Sequence, residues 1–258
     1  MLDPIIFSWG PITVRWYGVL IAAAMVIGTF LALREVKRRG WSEDNFLNMV
    51  LVMLPVSILG ARLYYVAFSW SYYAANPSEI IAIWHGGLAI HGGLLAGILV
   101  VWFFSHYYGF GFGNTLDVMA PSVVLGQAIG RWGNYFNQEA YGYEVDPAKI
   151  PWAMFIDGAY RHPTFLYESL WDLLIFVFLL LLRRRKHDLL PGDLILFYMI
   201  LYSAGRFVIE GFRTDSLMLF GILRVAQVVS LAAVLISIVV LWYRHRNHLP
   251  GGRINSIR

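Results

Sequence analysis

The sequence predicts an all-α integral membrane protein in which seven helices cross the bilayer. Three observations support this fold class. Of the 258 residues, 59% are hydrophobic and only 14% are charged, the mean hydropathy is +0.60, and apolar runs long enough to span a membrane recur along the chain. A soluble domain carries about 25% charged residues. We therefore expect a single transmembrane domain over 1–258.

Seven apolar runs are candidate spans, because about 20 helical residues cross about 30 Å of hydrocarbon. The predicted spans are 16–33, 46–68, 88–105, 115–132, 165–182, 193–210 and 222–243. The backbone finds no water inside a bilayer, so each span is expected to be an α-helix. The fourth and sixth spans differ from the others because each ends in polar residues.

Basic residues cluster after the first, fifth and seventh spans, which lie on one side of the membrane if the number of spans is odd. The clusters are Arg34, Lys37, Arg38 and Arg39; Arg183, Arg184, Arg185 and Lys186; and Arg244, Arg246, Arg253 and Arg258. An excess of lysine and arginine marks the cytoplasmic side. The N-terminus is therefore predicted outside and the C-terminus in the cytoplasm.

The longest connection on the predicted outer side covers about 133–164 and is rich in Trp, Tyr, Pro and Gly. Amphipathic aromatic side chains favour the membrane interface, whereas disordered linkers are poor in aromatic residues. We expect this connection to form a small folded extracytoplasmic cap.

Polar residues interrupt the end of the fourth span. Arg131, Asn134 and Asn137 are spaced i, i+3 and i+6, which places them on roughly one face of a helix. An arginine in hydrocarbon is costly unless it faces protein, water or a ligand headgroup. Two interpretations are open at this point: a polar seam that joins helices, or a site for an anionic group at membrane depth.

A second polar stripe lies in the sixth span and just beyond it. Tyr202, Arg206, Glu210 and Arg213 are spaced i, i+4, i+8 and i+11, which predicts a single stripe on one helix. Glu210 can pair with Arg206 for packing alone. One glutamate cannot neutralise both Arg206 and Arg131, however, so the two stripes together favour a site for a further anion.

Two other charged or titratable residues lie in or beside the spans. His91 belongs to the second of two His-Gly-Gly units that are six residues apart. A histidine exchanges protons near neutral pH, and the alternative is a histidine satisfied by a neighbouring helix. The spacing matches no metal geometry. Arg62, in the second span, either extends to the interface or lines the same cavity as the other arginines.

Arginine suits bidentate recognition of phosphate, and the phosphate present in a bilayer is a phospholipid headgroup. The arginines would neutralise charge on a leaving phosphate, while His91 would deprotonate a nucleophile. The chain contains no cysteine, so an attacking thiol would have to come from the substrate. Serine-hydrolase elbows, His-Glu-x-x-His helices and P-loops are absent from the sequence. The residues alone leave two classes open: a transferase, or a non-enzymatic protein that binds or transports an anionic lipid.

The run from Gly130 to Glu139 resembles the signature of bacterial prolipoprotein diacylglyceryl transferases. Four further blocks follow that family's order, at 15–18, 90–93, 161–168 and 202–213, so the resemblance covers about 4–225. Two positions depart from the family pattern: Gln138 stands where glycine is more frequent, and Gly205 where a bulky residue is usual.

The resemblance implies an enzyme that transfers the diacylglyceryl group of phosphatidylglycerol to the lipobox cysteine thiol of a prolipoprotein. The products are a thioether and glycerol phosphate. The enzyme would be a multi-pass protein of the bacterial plasma (inner) membrane, and we expect neither a cofactor, a metal nor a nucleic-acid partner.

The resemblance also assigns roles to individual residues. The implied catalytic residues are His91, Arg131, Arg206 and Glu139. The implied phosphatidylglycerol-binding residues are Arg131, Arg206, Tyr17, Asn134, Asn137, Tyr202 and Glu210. Either His91 or a carboxylate such as Glu139 would take the thiol proton. Glu139 has a second interpretation, in which it only holds Arg131 in place.

Overall fold

The computed structural model describes residues 3–10, 12–184, 189–219 and 221–248, and this part of the chain is mostly helical. Its helices are α1 (Trp16–Arg38), α2 (Glu43–Phe68), α3 (Trp70–Ala75), α4 (Ile90–Tyr107), α5 (Phe112–Asn137), α6 (Thr164–Arg183), α7 (Asp193–Glu210) and α8 (Val225–His248). Its strands pair as three antiparallel hairpins: β1 (Ile5–Trp9) with β2 (Ile12–Arg15), β3 (Met154–Ile156) with β4 (Ala159–Arg161), and β5 (Met218–Leu219) with β6 (Leu223–Arg224).

Within the described residues, five helices are long and apolar enough to cross a membrane, namely α1, α2, α4, α6 and α8. The prediction of a helical membrane protein is confirmed. The fourth and sixth predicted spans are also helices, α5 and α7, but they are not among the five. In α7 the reason is charge, because Asp193, Arg206 and Glu210 all lie in its 18 residues. The count of seven spans therefore stays a prediction.

Helices α1 and α5 continue past the predicted ends of their apolar runs, to Arg38 and Asn137. Ion pairs stabilise the extended end of α1. Arg38 and Arg39 both contact the carboxylate of Glu35, at 2.7 and 2.9 Å, and this carboxylate is buried. The positive charges also lie where the partial negative charge of a helix C-terminus favours them. Ion pairs between charged side chains thus accompany the extension of α1 beyond its apolar run.

The chain forms two compact units. The first contains the described parts of 1–30 and 119–258, and the second contains 31–118. In the first unit, α5, α6 and α7 share a buried core. Its fully or nearly fully buried members are Ala120, Val124, Ile175, Leu179, Leu194 and Tyr198. Helix α8 packs along α7.

In the second unit, α2 packs against α4 at two glycines. A Cβ atom added at Gly60 would lie 2.7 Å from the carbonyl oxygen of Gly92, and one added at Gly92 would overlap the backbone at Gly60. The backbones of the two helices therefore touch here, as small residues allow in membrane proteins. This contact fixes the first turn of α4, which carries His91.

The connection at 133–164 is folded. Helix α5 occupies its beginning, and the β3–β4 hairpin occupies its second half. Arg161 in β4 contacts Glu144 at 2.9 Å and its guanidinium stacks over the ring of Tyr141, with 4.6 Å to the ring centroid. The assignment of the connection at 133–164 as an extracytoplasmic cap stays a prediction.

Candidate active site

Arg131 and Arg206, the two arginines singled out in the sequence, meet at one carboxylate. Glu168 on α6 accepts from Nη1 of Arg206 at 2.5 Å through Oε1, and its Oε2 contacts Nε of Arg131. Arg131 comes from α5 and Arg206 from α7, so three helices of the first unit contribute. Glu168 is buried, with only 5% of its surface exposed. We refer to Arg131 and Arg206 as the arginine pair.

The sequence patterns do not single out Glu168, although the sequence contains a signal for it. It lies inside the fifth predicted span, and an ionisable residue in a span is by default a candidate for function. The two positive charges of Arg131 and Arg206 also exceed the single negative charge of Glu210, so a second anion was required. Glu168 is that anion.

The rest of the second stripe surrounds Arg206. Nη2 of Arg206 contacts Oε2 of Glu210 at 2.6 Å, one helical turn away. The expectation that Arg213 shares this helix is wrong, because α7 ends at Glu210. The guanidinium of Arg213 nevertheless lies 3.7 Å from the carboxylate of Glu168 and 3.9 Å from that of Glu210. We refer to these three residues and the arginine pair together as the cluster. The two hydrogen bonds from Arg213 to Asp215, at 2.9 and 2.6 Å, hold the pKa of that carboxyl below its ordinary value.

A small cavity opens beside the arginine pair. It is lined by Glu168, Trp171, Asp172, Tyr202, Arg206 and Ile209. The hydroxyl of Tyr202 accepts from Nη2 of Arg131 at 3.4 Å. Asp172 is 1% exposed, one turn beyond Glu168 on α6. Among the residues that the structure describes, no group of three or more His, Asp or Glu side chains could hold a metal ion.

Asn134 and Asn137 meet at Glu139, as their shared helix face allows. Their amide groups donate to Oε1 of Glu139 at 3.0 and 3.1 Å. The interpretation that Glu139 holds Arg131 in place is not supported, because the carboxylate that contacts Arg131 is Glu168. The catalytic role of Glu139 stays a prediction.

Tyr17 packs on the same stretch of α5. A Cβ added at Gly133 would overlap the ring of Tyr17, so the absence of a side chain at 133 lets the ring lie against the helix. The neighbouring Trp16 stacks on Phe136, with 4.9 Å between the ring centroids. The start of α1 is thus fixed beside the segment that carries Arg131 and Asn134.

The connection at 133–164 is hydrogen-bonded to the end of α7. The backbone amide of Tyr143 donates to the carbonyl of Phe212 at 3.1 Å, and the amide of Gly142 donates to the carbonyl of His162 at 3.0 Å. Arg224 in β6 links the end of α7 to this connection, because it donates to the carbonyl of Glu210 and, at 2.6 Å, to the hydroxyl of Tyr143.

His91 belongs to the second unit, in the first turn of α4. Its side chain is exposed, and its ring centroid lies 6.2 Å from that of Tyr64 on α2. The role of His91 as a base stays a prediction.

Arg62, also in the second unit, is buried, with 4% of its surface exposed. Its guanidinium donates to backbone carbonyls between α3 and α4. The acceptors are Glu79, Ile80, Ala82, Gly86 and Gly87, at 2.5 to 3.3 Å. The ring of Tyr73 lies 5.2 Å from its guanidinium carbon. Arg62 therefore fixes the loop that leads into α4 and His91.

Comparison with known proteins identifies the family. The family model for prolipoprotein diacylglyceryl transferase matches residues 4–243. The chain belongs to this family. Curated relatives named phosphatidylglycerol–prolipoprotein diacylglyceryl transferase agree over nearly the whole length. The relative from Streptococcus equi subsp. zooepidemicus (strain H70) is 50% identical over 95% of this chain and 96% of its own. That from Streptococcus mutans serotype c is 49% identical over 96% and 97%, and that from Limosilactobacillus reuteri 48% over 96% and 94%.

One departure of this chain from the pattern of prolipoprotein diacylglyceryl transferases has a local explanation. A Cβ at Gly205 would overlap the indole ring of Trp171. The indole Nε1 donates to the carbonyl of Leu201 at 2.9 Å, and the ring lines the cavity. The space that a side chain at position 205 would occupy is therefore filled by Trp171 from the neighbouring helix.

Replacing Gly205 with leucine is expected to push Trp171 away and to destabilise the protein by about 1–3 kcal/mol, the usual result of overpacking. Thermal unfolding in detergent measures the change. The double variant Gly205→Leu/Trp171→Ala serves as the control and should recover much of the loss, because the two side chains compete for one space. Additive effects of the two substitutions would contradict this account.

Proposed function

We propose that this chain transfers the diacylglyceryl group of phosphatidylglycerol to the lipobox cysteine thiol of prolipoproteins, forming a thioether and releasing glycerol phosphate. The observation that carries the proposal is the meeting of Arg131 and Arg206 at a buried site of a membrane protein of this family. Two guanidinium groups suit a phosphate because their donors match its oxygens in pairs. This is the first step of bacterial lipoprotein maturation.

In the proposed reaction, the thiol sulfur forms a bond to the glyceryl carbon, and the bond from that carbon to the phosphate oxygen breaks. The thiol proton passes to His91 or to Glu139. The arginine pair neutralises the charge that develops on the leaving phosphate, a contribution typically worth about 3–4 kcal/mol per donor. The headgroup pocket is completed by Tyr17, Asn134, Asn137, Tyr202 and Glu210.

Transfer is tested in phosphatidylglycerol liposomes with a lipobox peptide and the purified protein. We expect the peptide to gain the mass of one diacylglyceryl group and glycerol phosphate to appear in equal amount. Phosphatidylethanolamine liposomes serve as the control and should give neither. Binding of phosphatidylglycerol without release of glycerol phosphate would instead indicate a lipid-binding or transport protein.

The base is tested at His91. His91→Gln is expected to lower the rate by about 100-fold or more, since a positioned general base contributes about 10²–10⁴-fold. Initial rates between about pH 6 and 9 measure the effect, with Glu139→Gln as the competing variant. A His91→Gln enzyme with the full rate throughout that range would mean that His91 is structural.

We further propose a plasma-membrane topology of seven spans, with the N-terminus outside and 133–164 as an outer cap. In its support, α5 and α7 contain 26 and 18 residues, and an 18-residue helix is about 27 Å long. Arg131 of α5 and Arg206 and Glu210 of α7 are paired inside the protein, so these charges are compatible with helices that cross the membrane.

Single-cysteine labelling tests this topology without removing any native thiol, because the chain has no cysteine. Lys149→Cys should react with a membrane-impermeant maleimide on intact cells, whereas Lys37→Cys should react only after the cells are opened. A protein in which α5 and α7 do not cross would place residue 149 in the cytoplasm. Protection of Lys149→Cys on intact cells would therefore contradict the seven-span topology.

A further inference from the structure

Three donor atoms of the arginine pair are already engaged by carboxylates of the chain itself. Nε of Arg131 and Nη1 of Arg206 both point at Glu168, and Nη2 of Arg206 points at Glu210. These are the groups that the proposed function assigns to the phosphate of the lipid. A phosphate that binds these three donor atoms therefore competes with a carboxylate of the chain.

The charges of the cluster are also balanced. Three guanidinium groups, those of Arg131, Arg206 and Arg213, contact three carboxylates, those of Glu168, Glu210 and Asp215, and the buried carboxyl of Asp172 lines the same cavity. A phosphate brings a further negative charge within a few ångströms of these carboxylates. At such distances in a protein interior, like charges repel by several kcal/mol. One carboxylate therefore has to move away from the arginines when the phosphate binds.

Glu168 is the carboxylate whose position allows it to move away from the arginine pair. It is the one that contacts both members of the arginine pair, and it lies on α6, which carries neither arginine. A change of its side-chain rotamer releases both guanidinium groups while α5 and α7 stay in place. Glu210, by contrast, is one turn from Arg206 on the same helix and keeps that arginine oriented.

We infer that Glu168 is an internal anion that exchanges with the lipid phosphate. It holds Arg131 and Arg206 together, leaves them when phosphatidylglycerol binds, and pairs with them again as glycerol phosphate departs. Glu168 is thus a positioning residue that also promotes product release. This inference rests on the proposed function and deepens it.

Exchange predicts an effect that a purely structural carboxylate would not have. If Glu168 competes with the phosphate, removal of its charge strengthens phosphate binding. If Glu168 only maintains the fold, its removal weakens phosphate binding and catalysis together.

The test uses Glu168→Gln, which preserves the shape of the side chain. Glycerol phosphate binding is measured by calorimetry on the purified protein in detergent, and KM and kcat are measured in phosphatidylglycerol liposomes. We expect Kd to fall about tenfold, because the phosphate no longer has to displace a charged carboxylate from the arginine pair. We also expect KM to fall and kcat to fall, since the product leaves slowly and the arginines are less well held. An unchanged or higher Kd overturns the inference.

Asp172→Asn is the matched control. It removes a carboxylate from the same helix and the same cavity, but it leaves the contacts of Glu168 with the arginine pair intact. Its Kd is expected to change by less than about threefold, because the ion pairs of Arg131 and Arg206 within the described residues are with Glu168 and Glu210 and not with Asp172. An equal gain in both variants would indicate a general change of potential and would overturn the exchange.

A measurement on the unmodified protein covers the case in which Glu168→Gln does not fold. Infrared difference spectra on addition of glycerol phosphate should show a carboxylate leaving an ion pair, and the signal should persist in Glu210→Gln. A spectrum without a carboxylate band, or a band lost in Glu210→Gln, overturns the inference. Because binding is measured without peptide, it is independent of transfer, and transfer by the unmodified protein tests the proposed function separately.

Discussion

Replacing Arg131 with alanine is expected to lower kcat/KM for diacylglyceryl transfer at least ~100-fold. The variant loses a donor aimed at the leaving phosphate, and such donors are typically worth about 3–4 kcal/mol in the transition state. It also leaves Glu168 without one of its two close partners. Arg131→Lys should be nearly as poor, because an ammonium group cannot reproduce the paired donors of a guanidinium. Initial rates with a lipobox peptide in phosphatidylglycerol liposomes measure the loss.

Arg246 provides a matched control for this experiment. It is an exposed arginine of the same unit, and its guanidinium lies over the ring of Trp242, at 5.0 Å from the centroid. Arg246→Ala is expected to keep the rate within about twofold, since exposed charges away from a site contribute little. A normal rate in Arg131→Ala would show that the arginine pair does not bind the phosphate.

Replacing Arg62 with lysine is expected to destabilise the second unit by about 3 kcal/mol. A lysine keeps the charge, but it cannot present the planar set of donors that reaches carbonyls from residue 79 to residue 87. Buried carbonyls that lose a charged donor are destabilising at about 1–3 kcal/mol each. Thermal unfolding in detergent should show the loss, and limited proteolysis should show faster cleavage between 76 and 89.

Glu79→Gln separates this loss from a general effect on the loop. The carbonyl of Glu79 bonds to Arg62, whereas its carboxylate pairs with the exposed ring of His85 at 2.8 Å. The substitution changes only the exposed pair, so stability should change by less than about 1 kcal/mol. If Arg62→Lys were no more harmful than Glu79→Gln, the bonds to the carbonyls would not be what holds the loop.

The sequence predicts the arginine pair better than it predicts its partner. Arg131 and Arg206 are visible because cations are rare in apolar runs and both carry polar neighbours at helical spacing. The pairing of both with Glu168 depends on the rotation and depth of three helices, which local spacing does not determine. Glu139 was the nearer carboxylate along the chain to Arg131, but the turn after α5 directs it to Asn134 and Asn137 instead.

The helices themselves were predictable, and the strands were not. Long apolar runs have a strong periodic signal, whereas the hairpin strands of two to five residues are too short for an alternating pattern to be recognised. Helical spacing also predicts that the second stripe continues through Arg213, although α7 ends at Glu210. Hydrophobicity and spacing thus identify which segments are helical, but not where capping interactions end them.

The hydrogen bonds around Tyr143 and Arg224 make two distant parts of the sequence one cooperative unit. Tyr143 bonds to Phe212 through its backbone, and Arg224 bonds to both Tyr143 and the end of α7. Segments joined in this way open together in native-state hydrogen exchange. The amide of Tyr143 should therefore exchange at the same rate as the amides of Phe212 and Arg213, which follow α7. Any movement of the connection that exposes this amide would also loosen Glu210, and through it Arg206.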